Sequence, residues 1–177
     1  MKKFFAMLMV VCMLAVSACS GNGGGAKVES GKLGDVHTAV KTALGDAYIA
    51  SMPYDMMYLT EVVGLTEADI KEFVAEGPMM SAHIDTFIGI EAAEGKGEAV
   101  EQALQAYLEV LKSDAFMYPM NVAKVETAKI LRVDDYVFYI CLGGYHENME
   151  ATEEECKAFY TEQNELVEKT IHDTLGK

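Results

Sequence analysis

Residues 129–144 read KILRVDDYVFYICLGG, and this stretch decides the fold. It contains two runs rich in Ile, Val, Tyr and Phe, separated by Asp134-Asp135 and followed by Gly143-Gly144. Aromatic and β-branched residues favour strands, and a two-residue gap between such runs is typical of a β-hairpin. Asp-Asp is a less ideal turn than Asp-Gly, so the turn type stays open. The sequence therefore predicts an antiparallel hairpin over residues 129–142.

One more strand and the clearest helix of the chain lie upstream of this hairpin. The short apolar run at residues 87–90 predicts a strand that begins near Ser81. A turn follows at residues 94–97, which read EGKG. After it, apolar residues recur at the spacing of a helix, at Val100, Ala103, Leu104, Tyr107, Leu108 and Leu111. This pattern predicts an amphipathic helix with one apolar face.

Start and stop signals predict the remaining helices. Three are expected in the first half of the domain, at residues 35–44, 55–63 and 66–75. The third of these starts from Thr66-Glu67-Ala68-Asp69, which resembles a capping box, and Thr152–Glu155 is a second such box that opens a last helix. The predicted order is α-α-α-β-α-β-β-α, leaving aside a short helix that could start at Asn121. We expect an α+β fold, with helices packed on one face of a small, mainly antiparallel sheet.

The N-terminus has the pattern of an export signal. Lys2 and Lys3 precede an apolar, uncharged run at residues 4–16, which is shorter than the roughly 20 residues of a membrane-spanning helix. Val16-Ser17-Ala18-Cys19 resembles the bacterial lipobox, in which the Cys thiol receives a diacylglycerol and the signal is cut just before it. We therefore expect lipidation at Cys19; the alternative is an ordinary signal peptide with a chance Cys.

These signals divide the chain into three parts. Residues 1–18 are interpreted as a lipoprotein signal peptide. Residues 19–34 are rich in Gly and Ser and lack periodicity, so they predict a flexible tether that is dispensable for folding. Residues 35–177 have the length of a single domain.

The charge of the chain limits its partners. Residues 1–18 hold two of the 14 basic residues and none of the 28 acidic ones, so the chain without them has 12 basic residues, 28 acidic residues and a net charge of −16. Nucleic acid is excluded as an expected partner because phosphate binding requires a basic patch. Anionic lipid headgroups would also repel the folded domain. The expected membrane contact is therefore the diacylglycerol on Cys19.

A set of short motifs resembles the bacterial family catalogued as domain of unknown function 4358. The motifs that carry the resemblance are Met79-Met80, residues 85–90 (DTFIGI), Glu94-Gly95-Lys96 with the long helix after it, Tyr118-Pro119, and residues 135–138 (DYVF). Together they span roughly Asp35 to Leu142. The resemblance implies a lipid-anchored or exported protein of a Gram-positive anaerobe. The function of the family is unknown, so the resemblance implies no functional residues.

The histidines do not form a recognisable metal or catalytic motif. There are four of them, His37, His83, His146 and His172. No pair has the spacing of a zinc-binding helix, and HExxH is absent. His146-Glu147 and Glu150 could gather a metal, although a solvated acidic loop is the plainer interpretation. His83 and Asp85 could share a strand face, which does not by itself make a site.

Two cysteines remain besides Cys19 in the chain without its signal. Cys141 has His146 nearby in sequence, as a catalytic Cys would need a base, but a Cys inside a strand is more often a small buried apolar residue. A bond between Cys141 and Cys156 would close a loop of about 15 residues and could contribute roughly 3 kcal/mol. We keep this disulfide as a hypothesis and predict two reduced thiols.

Methionine and glutamate are abundant, and each abundance has a structural interpretation. The pairs Met56-Met57 and Met79-Met80 could bind a soft metal such as copper, but they lie among apolar residues, so core packing is the preferred interpretation. Residues 153–155 are three glutamates that suit the first turn of a helix, where the helix dipole favours negative charge. No calcium-binding motif is present.

No catalytic, cofactor-binding or metal-binding residues are therefore predicted, and no cofactor is expected. The leading hypothesis is a non-enzymatic binding or interaction module, tethered through Cys19 to the extracytoplasmic face of the cell membrane. Its ligand would be an unknown protein or small molecule. Two alternatives stay open: an enzyme of unrecognised type, and a structural protein of cell-envelope assembly.

Overall fold

The computed structural model describes residues 27–114, 117–148 and 150–177. The expected signal peptide at residues 1–18, the expected lipidation site Cys19 and the first part of the predicted tether lie outside the described residues.

Five strands form one antiparallel sheet. They are β1 (Ala50–Pro53), β2 (Ile70–Pro78), β3 (Thr86–Ala92), β4 (Lys129–Val133) and β5 (Tyr136–Cys141). Their order in the sheet is β1-β2-β3-β5-β4. The predicted hairpin is confirmed as β4 and β5, because Val133 pairs with Tyr136 across a two-residue turn. Asp134 has a positive φ of 54°, a value that Asp adopts more readily than most residues.

Among the described residues, five helices complete the α+β fold, whose class is as predicted. They are α1 (Leu33–Leu44), α2 (Met56–Glu61), α3 (Gly97–Lys112), α4 (Pro119–Glu126) and α5 (Glu153–Leu175). The Asp55 side chain caps α2 by accepting a hydrogen bond from the Tyr58 N–H. Thr152 and Glu155 form the predicted capping box of α5. No helix among the described residues combines the length and the apolarity needed to cross a membrane.

The helices cover both faces of the sheet, which corrects the expectation of a single covered face. On one face, α1 and α5 pack on Phe87, Phe138 and Ile140. On the other face, α2 and α3 pack on Ile88, Ile90, Tyr139 and their neighbours. Every residue of β3 and β5 is buried. Successive side chains of a strand point to opposite faces, so two strands that are apolar at nearly every position need a cover on each side.

The third predicted helix is wrong, because residues 70–78 form β2. Only a single 3₁₀ turn forms at Glu67–Asp69, and the Thr66 hydroxyl donates to the Asp69 carboxylate instead of capping a helix. Pairing with β3 supplies the backbone hydrogen bonds of residues 70–76, and this long-range pairing overrides the local capping signal. β1 also has no counterpart in the prediction. β3 begins at Thr86 rather than near Ser81.

The folded domain begins before residue 35, because residues 27–33 pack as an N-terminal arm. The arm binds Glu91, near the end of β3. The Ser30 hydroxyl and the Gly31 N–H each donate to this carboxylate, at 2.7 Å and 2.9 Å. The Val28 N–H donates to Asp134 in the hairpin turn at 2.8 Å. Residues 27–33, which the sequence pattern assigned to a flexible tether, therefore belong to the folded domain.

Gly89 lets the end of the arm lie close to the sheet. A Cβ atom on Gly89 would approach the Phe138 ring at 3.2 Å and the Leu33 side chain at 3.3 Å. Both distances are shorter than ordinary contacts, so a larger residue would push these groups away. Leu33 is almost completely buried at the point where the arm becomes α1.

We predict that the arm makes stability depend on pH through Glu91. Burial acts to raise the pKa of Glu91, but hydrogen bonds from Lys71, Gly31 and Ser30 outweigh burial and lower the pKa from 4.5 to about 2. The ionised carboxylate therefore contributes stability that is complete above pH 4.5 and is lost as the pH falls toward 2. Its contribution is roughly 2–3 kcal/mol. The contribution is measured by comparing the free energies of unfolding in urea of the wild type and of Glu91→Gln, at a series of pH values from neutral down toward 2.

Glu91→Gln should be less stable than the wild type at neutral pH. It should also lose less stability than the wild type when the pH falls from 4.5 toward 2. Glu162→Gln, at an exposed position on α5, is the matched control and should follow the wild type. Equal pH profiles for wild type and Glu91→Gln would contradict the assignment.

Candidate functional site

A cavity of about 970 Å³ lies at the end of the sheet opposite the arm. Three parts of the chain enclose it: the loop before β3, α4, and the loop after β5 with the first turns of α5. We call it the α4–α5 cavity. Its lining residues are Ala82, His83, Asn121, Val122, Ala123, Lys124, Gly144, Tyr145, His146, Asn148, Ala151, Glu153, Cys156 and Tyr160.

A buried ion pair forms the base of the α4–α5 cavity. The Lys124 ammonium contacts the Asp85 carboxylate at 2.5 Å, and both side chains are almost completely buried. The other oxygen of Asp85 accepts a hydrogen bond from the Gly144 N–H at 2.9 Å. Burial raises the pKa of Asp85, and the charge and hydrogen bonds of Lys124 and Gly144 oppose that rise. An unpaired charge here would carry a large desolvation penalty, so the pair ties α4 to the start of β3.

Two glycines bring the backbone to this ion pair. Gly143 and Gly144 have φ values of 124° and 61°, which strain other residues. This conformation lets Gly144 donate its N–H to Asp85 and accept a hydrogen bond from the Lys124 ammonium at its carbonyl. The same ammonium lies 4.7 Å from the centre of the Tyr160 ring, within the range of a cation–π contact.

Aromatic and imidazole rings line the wall of the cavity. His83 and Tyr145 are hydrogen-bonded through Nε2 and the hydroxyl and meet edge to face, with ring centres 4.6 Å apart. His146 meets Phe159 edge to face at 5.1 Å. Tyr145 is half exposed although it lines the cavity, so its ring also belongs to the outer surface. The wall offers flat apolar surfaces with a few hydrogen-bonding groups.

The structure brings two of the four histidines, His83 and His146, to the α4–α5 cavity and places the other two elsewhere. His83 and Asp85 do lie in the same region, but in the loop before β3 rather than on a shared strand face. His37 is on the α1 face of the sheet, where it contacts Glu76 at 3.0 Å. His172 lies in the last turn of α5.

Within the described residues, no three His, Cys, Asp or Glu side chains are placed to hold a metal ion. In particular, His146, Glu147 and Glu150 do not form such a group.

The interpretation of the methionines as core residues is wrong for Met57, Met79 and Met80, and Met52, which it did not include, is exposed as well. Met52, Met57, Met79 and Met80 are among the exposed large apolar side chains. They lie in an edge strand, in the short helix α2 and in the loop after β2, where the surrounding apolar residues point inward and leave the methionines outside.

No motif in the sequence points to Lys124, Tyr160 or Gly144 as residues of a site. The signal in the sequence for Lys124 is a single Lys within the otherwise apolar stretch Val122–Val125. The Gly143-Gly144 pair was recognised only as the end of a strand. Lys124 and Gly144 both contact Asp85, which lies about 40 residues before Lys124 and about 60 residues before Gly144 in the chain.

The fold and the site define an α+β domain with a half-open, largely apolar cavity at one end of its sheet. The chain belongs to the family described as Domain of unknown function (DUF4358), whose model matches residues 43–142, more than half of the 177 residues. This agrees with the resemblance seen in the motifs. The match includes Asp85 and Lys124 but ends before Gly144 and α5. No curated protein and no solved structure matches the chain.

We predict that the two cysteines of the domain differ strongly in reactivity. Both are free thiols in the structure. Burial, together with the charge of Asp85, raises the pKa of Cys141 to about 12, and the charge of Lys124 opposes this only partly. Cys156 is half-buried and lines the cavity. Because the thiolate is the reactive form, a chain that begins at Lys27 should show one titratable thiol when native and two when denatured.

Cys156→Ser is the control, and it should remove the thiol that reacts in the native protein. No free thiol in the denatured, unreduced protein would demonstrate the disulfide instead. Two thiols that react equally fast in the native state would contradict the burial of Cys141.

Proposed function

We propose that this protein is a lipid-anchored binding module on the extracytoplasmic face of the cell membrane, and that its ligand occupies the α4–α5 cavity. The observation that carries the proposal is the cavity itself. Its volume, about 970 Å³, is at the upper end of the range for ligand pockets. It also combines a mainly apolar lining with a few polar groups, as such pockets do.

The state of two potentially reactive side chains, Lys124 and Cys141, favours binding over catalysis. The Lys124 ammonium already contacts Asp85, the Gly144 carbonyl and the Tyr160 ring. Cys141 is completely buried behind the cavity, and its raised pKa keeps it protonated. A nucleophile must be both activated and accessible, and neither group meets this requirement.

The anchor is supported by the sequence before the domain. Lys2 and Lys3, the apolar run at residues 4–16 and the lipobox-like residues 16–19 follow one another in the order of a lipoprotein signal. Two acyl chains hold a protein at a membrane where one chain would not. The N-terminal arm contacts the hairpin turn through Val28 and Asp134, so the chain enters the domain at the end that is remote from the cavity.

The cavity can be tested as the binding site by filling it. Ala82 lines the cavity, and its backbone carbonyl, rather than its side chain, accepts the hydrogen bond from Asn121. Ala82→Trp should therefore occupy the cavity without removing that bond. The mature protein, recovered in mild detergent from the envelope of its own cells, should carry a bound species that native mass spectrometry detects as an added mass. The variant should lack it.

Ala99→Trp adds the same side chain at an exposed position of α3 and should retain the bound species. If the wild type carries no added mass, or if Ala82→Trp carries the same one, the cavity is not the binding site.

The anchor is tested by removing the thiol that would be lipidated. Cys19→Ser should move the protein from the membrane fraction to the medium, or should block processing, because the acyl chains have no attachment point. Cys12→Ser, inside the apolar run of the signal, is the matched control and should remain in the membrane fraction. Fractionation followed by intact-mass measurement distinguishes the outcomes. A Cys19→Ser variant that is processed and membrane-bound like the wild type would contradict lipidation.

A further inference from the structure

Exposed apolar side chains lie at the mouth of the α4–α5 cavity and on the chain segments next to it. Tyr145 and Val122 line the cavity and are also exposed. Met79 and Met80 lie in the loop that leads to Ala82, and Tyr118 immediately precedes α4. These five side chains, which we call the apolar rim, are half of the ten large apolar side chains that are exposed among the described residues. Exposed apolar surface that is concentrated in this way is typical of a contact site for another molecule.

The same mouth is strongly acidic. Residues 145–155 comprise most of the loop after β5 and the first turn of α5, and they contain five glutamates and neither Lys nor Arg. We call this stretch the acidic loop. One of them, Glu153, lines the cavity and is paired with Lys157 at 2.6 Å, and Glu147, Glu150 and Glu154 are exposed beside lining residues. The nearest cation in the lining, Lys124, is buried and neutralised by Asp85. A ligand that approaches the mouth therefore meets negative charge around an apolar opening.

We propose that the ligand is a peptide segment of another protein, in which an apolar side chain enters the cavity and flanking Lys or Arg residues face the acidic loop. This rests on the proposed function. The acidic loop disfavours anionic ligands, because like charges that face each other across an interface weaken binding. The apolar rim extends the contact surface beyond the cavity, which suits a chain that continues outside it better than a compact small molecule. Met side chains adapt to varied apolar partners.

The position of the cavity in the fold suits such a partner. β5 runs from Tyr136, whose hydroxyl donates to the arm at the Glu29 carbonyl, to Cys141 at the cavity. The N-terminal arm and the cavity thus lie at opposite ends of the central strands. A domain that is tethered through its arm presents the cavity away from the tether, where a segment of another exported or membrane protein can reach it.

The experiment uses random peptides as the probe. The full mature protein, held in phosphatidylcholine nanodiscs, is panned against a phage-displayed library of eight-residue peptides. Enriched sequences should contain an aromatic or aliphatic residue flanked by Lys or Arg. A synthetic peptide with the consensus sequence should bind in a fluorescence-anisotropy titration, and Ala82→Trp should weaken its binding at least tenfold, whereas Ala99→Trp should not.

A charge variant tests the acidic loop separately. The triple variant Glu147→Gln, Glu150→Gln and Glu154→Gln should weaken binding of the consensus peptide by about tenfold at low salt, which corresponds to roughly 1.4 kcal/mol for three surface charges. The difference should shrink at high salt because the charges are then screened. The matched control removes the same charge elsewhere, by Glu61→Gln, Glu98→Gln and Glu109→Gln, and should bind like the wild type.

Three results would overturn the peptide proposal: no enriched sequence, an enriched sequence that is acidic or lacks an apolar residue, and binding that Ala82→Trp leaves unchanged. A small molecule found in the wild-type cavity by native mass spectrometry, together with failed panning, would overturn the peptide ligand and leave the binding module standing. A protein without any bound species and without any enriched peptide would overturn both proposals.

Discussion

β3 and β5 pair along their whole lengths, from Thr86 opposite Cys141 to Glu91 opposite Tyr136, and every side chain of the two strands is buried. A strand pair of this kind must be covered on both sides, since its side chains alternate between the faces. The cover consists of α1 and α5 on one face and of α2 and α3 on the other. The remaining strands lie outside this pair, with β4 at one edge and β1 at the other.

The two ends of the same strand pair each hold a buried carboxylate, and each carboxylate organises one end of the molecule. Glu91 accepts hydrogen bonds from the arm and from Lys71, whose side chain is half exposed. Asp85, just before β3, contacts the buried Lys124 and the Gly144 backbone. A fully buried ion pair such as Asp85–Lys124 contributes little net stability when compared with apolar residues of the same size. The Asp85–Lys124 pair is therefore better understood as a constraint that holds α4 and the loop after β5 in place around the cavity.

The cavity, the apolar rim and the acidic loop belong to segments that are far apart in the chain, and they surround one opening. Loops carry binding sites when a rigid scaffold positions them, and here the central strands are that scaffold. The arm is bound at the other end of those strands. The proposed anchor and the proposed binding site would therefore act at separate ends of one small domain.

The sequence by itself determined the elements that depend on neighbouring residues. These are the hairpin around Asp134-Asp135, the long helix α3, the Asp55 cap and the capping box that opens α5. The family was also evident from short motifs. The sequence misassigned residues 70–75 as helix because the Thr66–Asp69 signal is local, whereas pairing with β3 is not. The sequence pattern also predicted helices on one face of the sheet only, whereas every residue of β5 is buried and helices cover both faces.

Only the tertiary structure decided the position of the arm and the make-up of the cavity. Glu91 became the binding point of residues 30 and 31, which lie about 60 residues earlier in the chain. Asp85, Lys124 and Gly144 became neighbours because β3, α4 and the end of β5 meet at one end of the sheet. No local pattern encodes such contacts, since their free energy depends on burial and pairing that exist only after the distant segments have packed together.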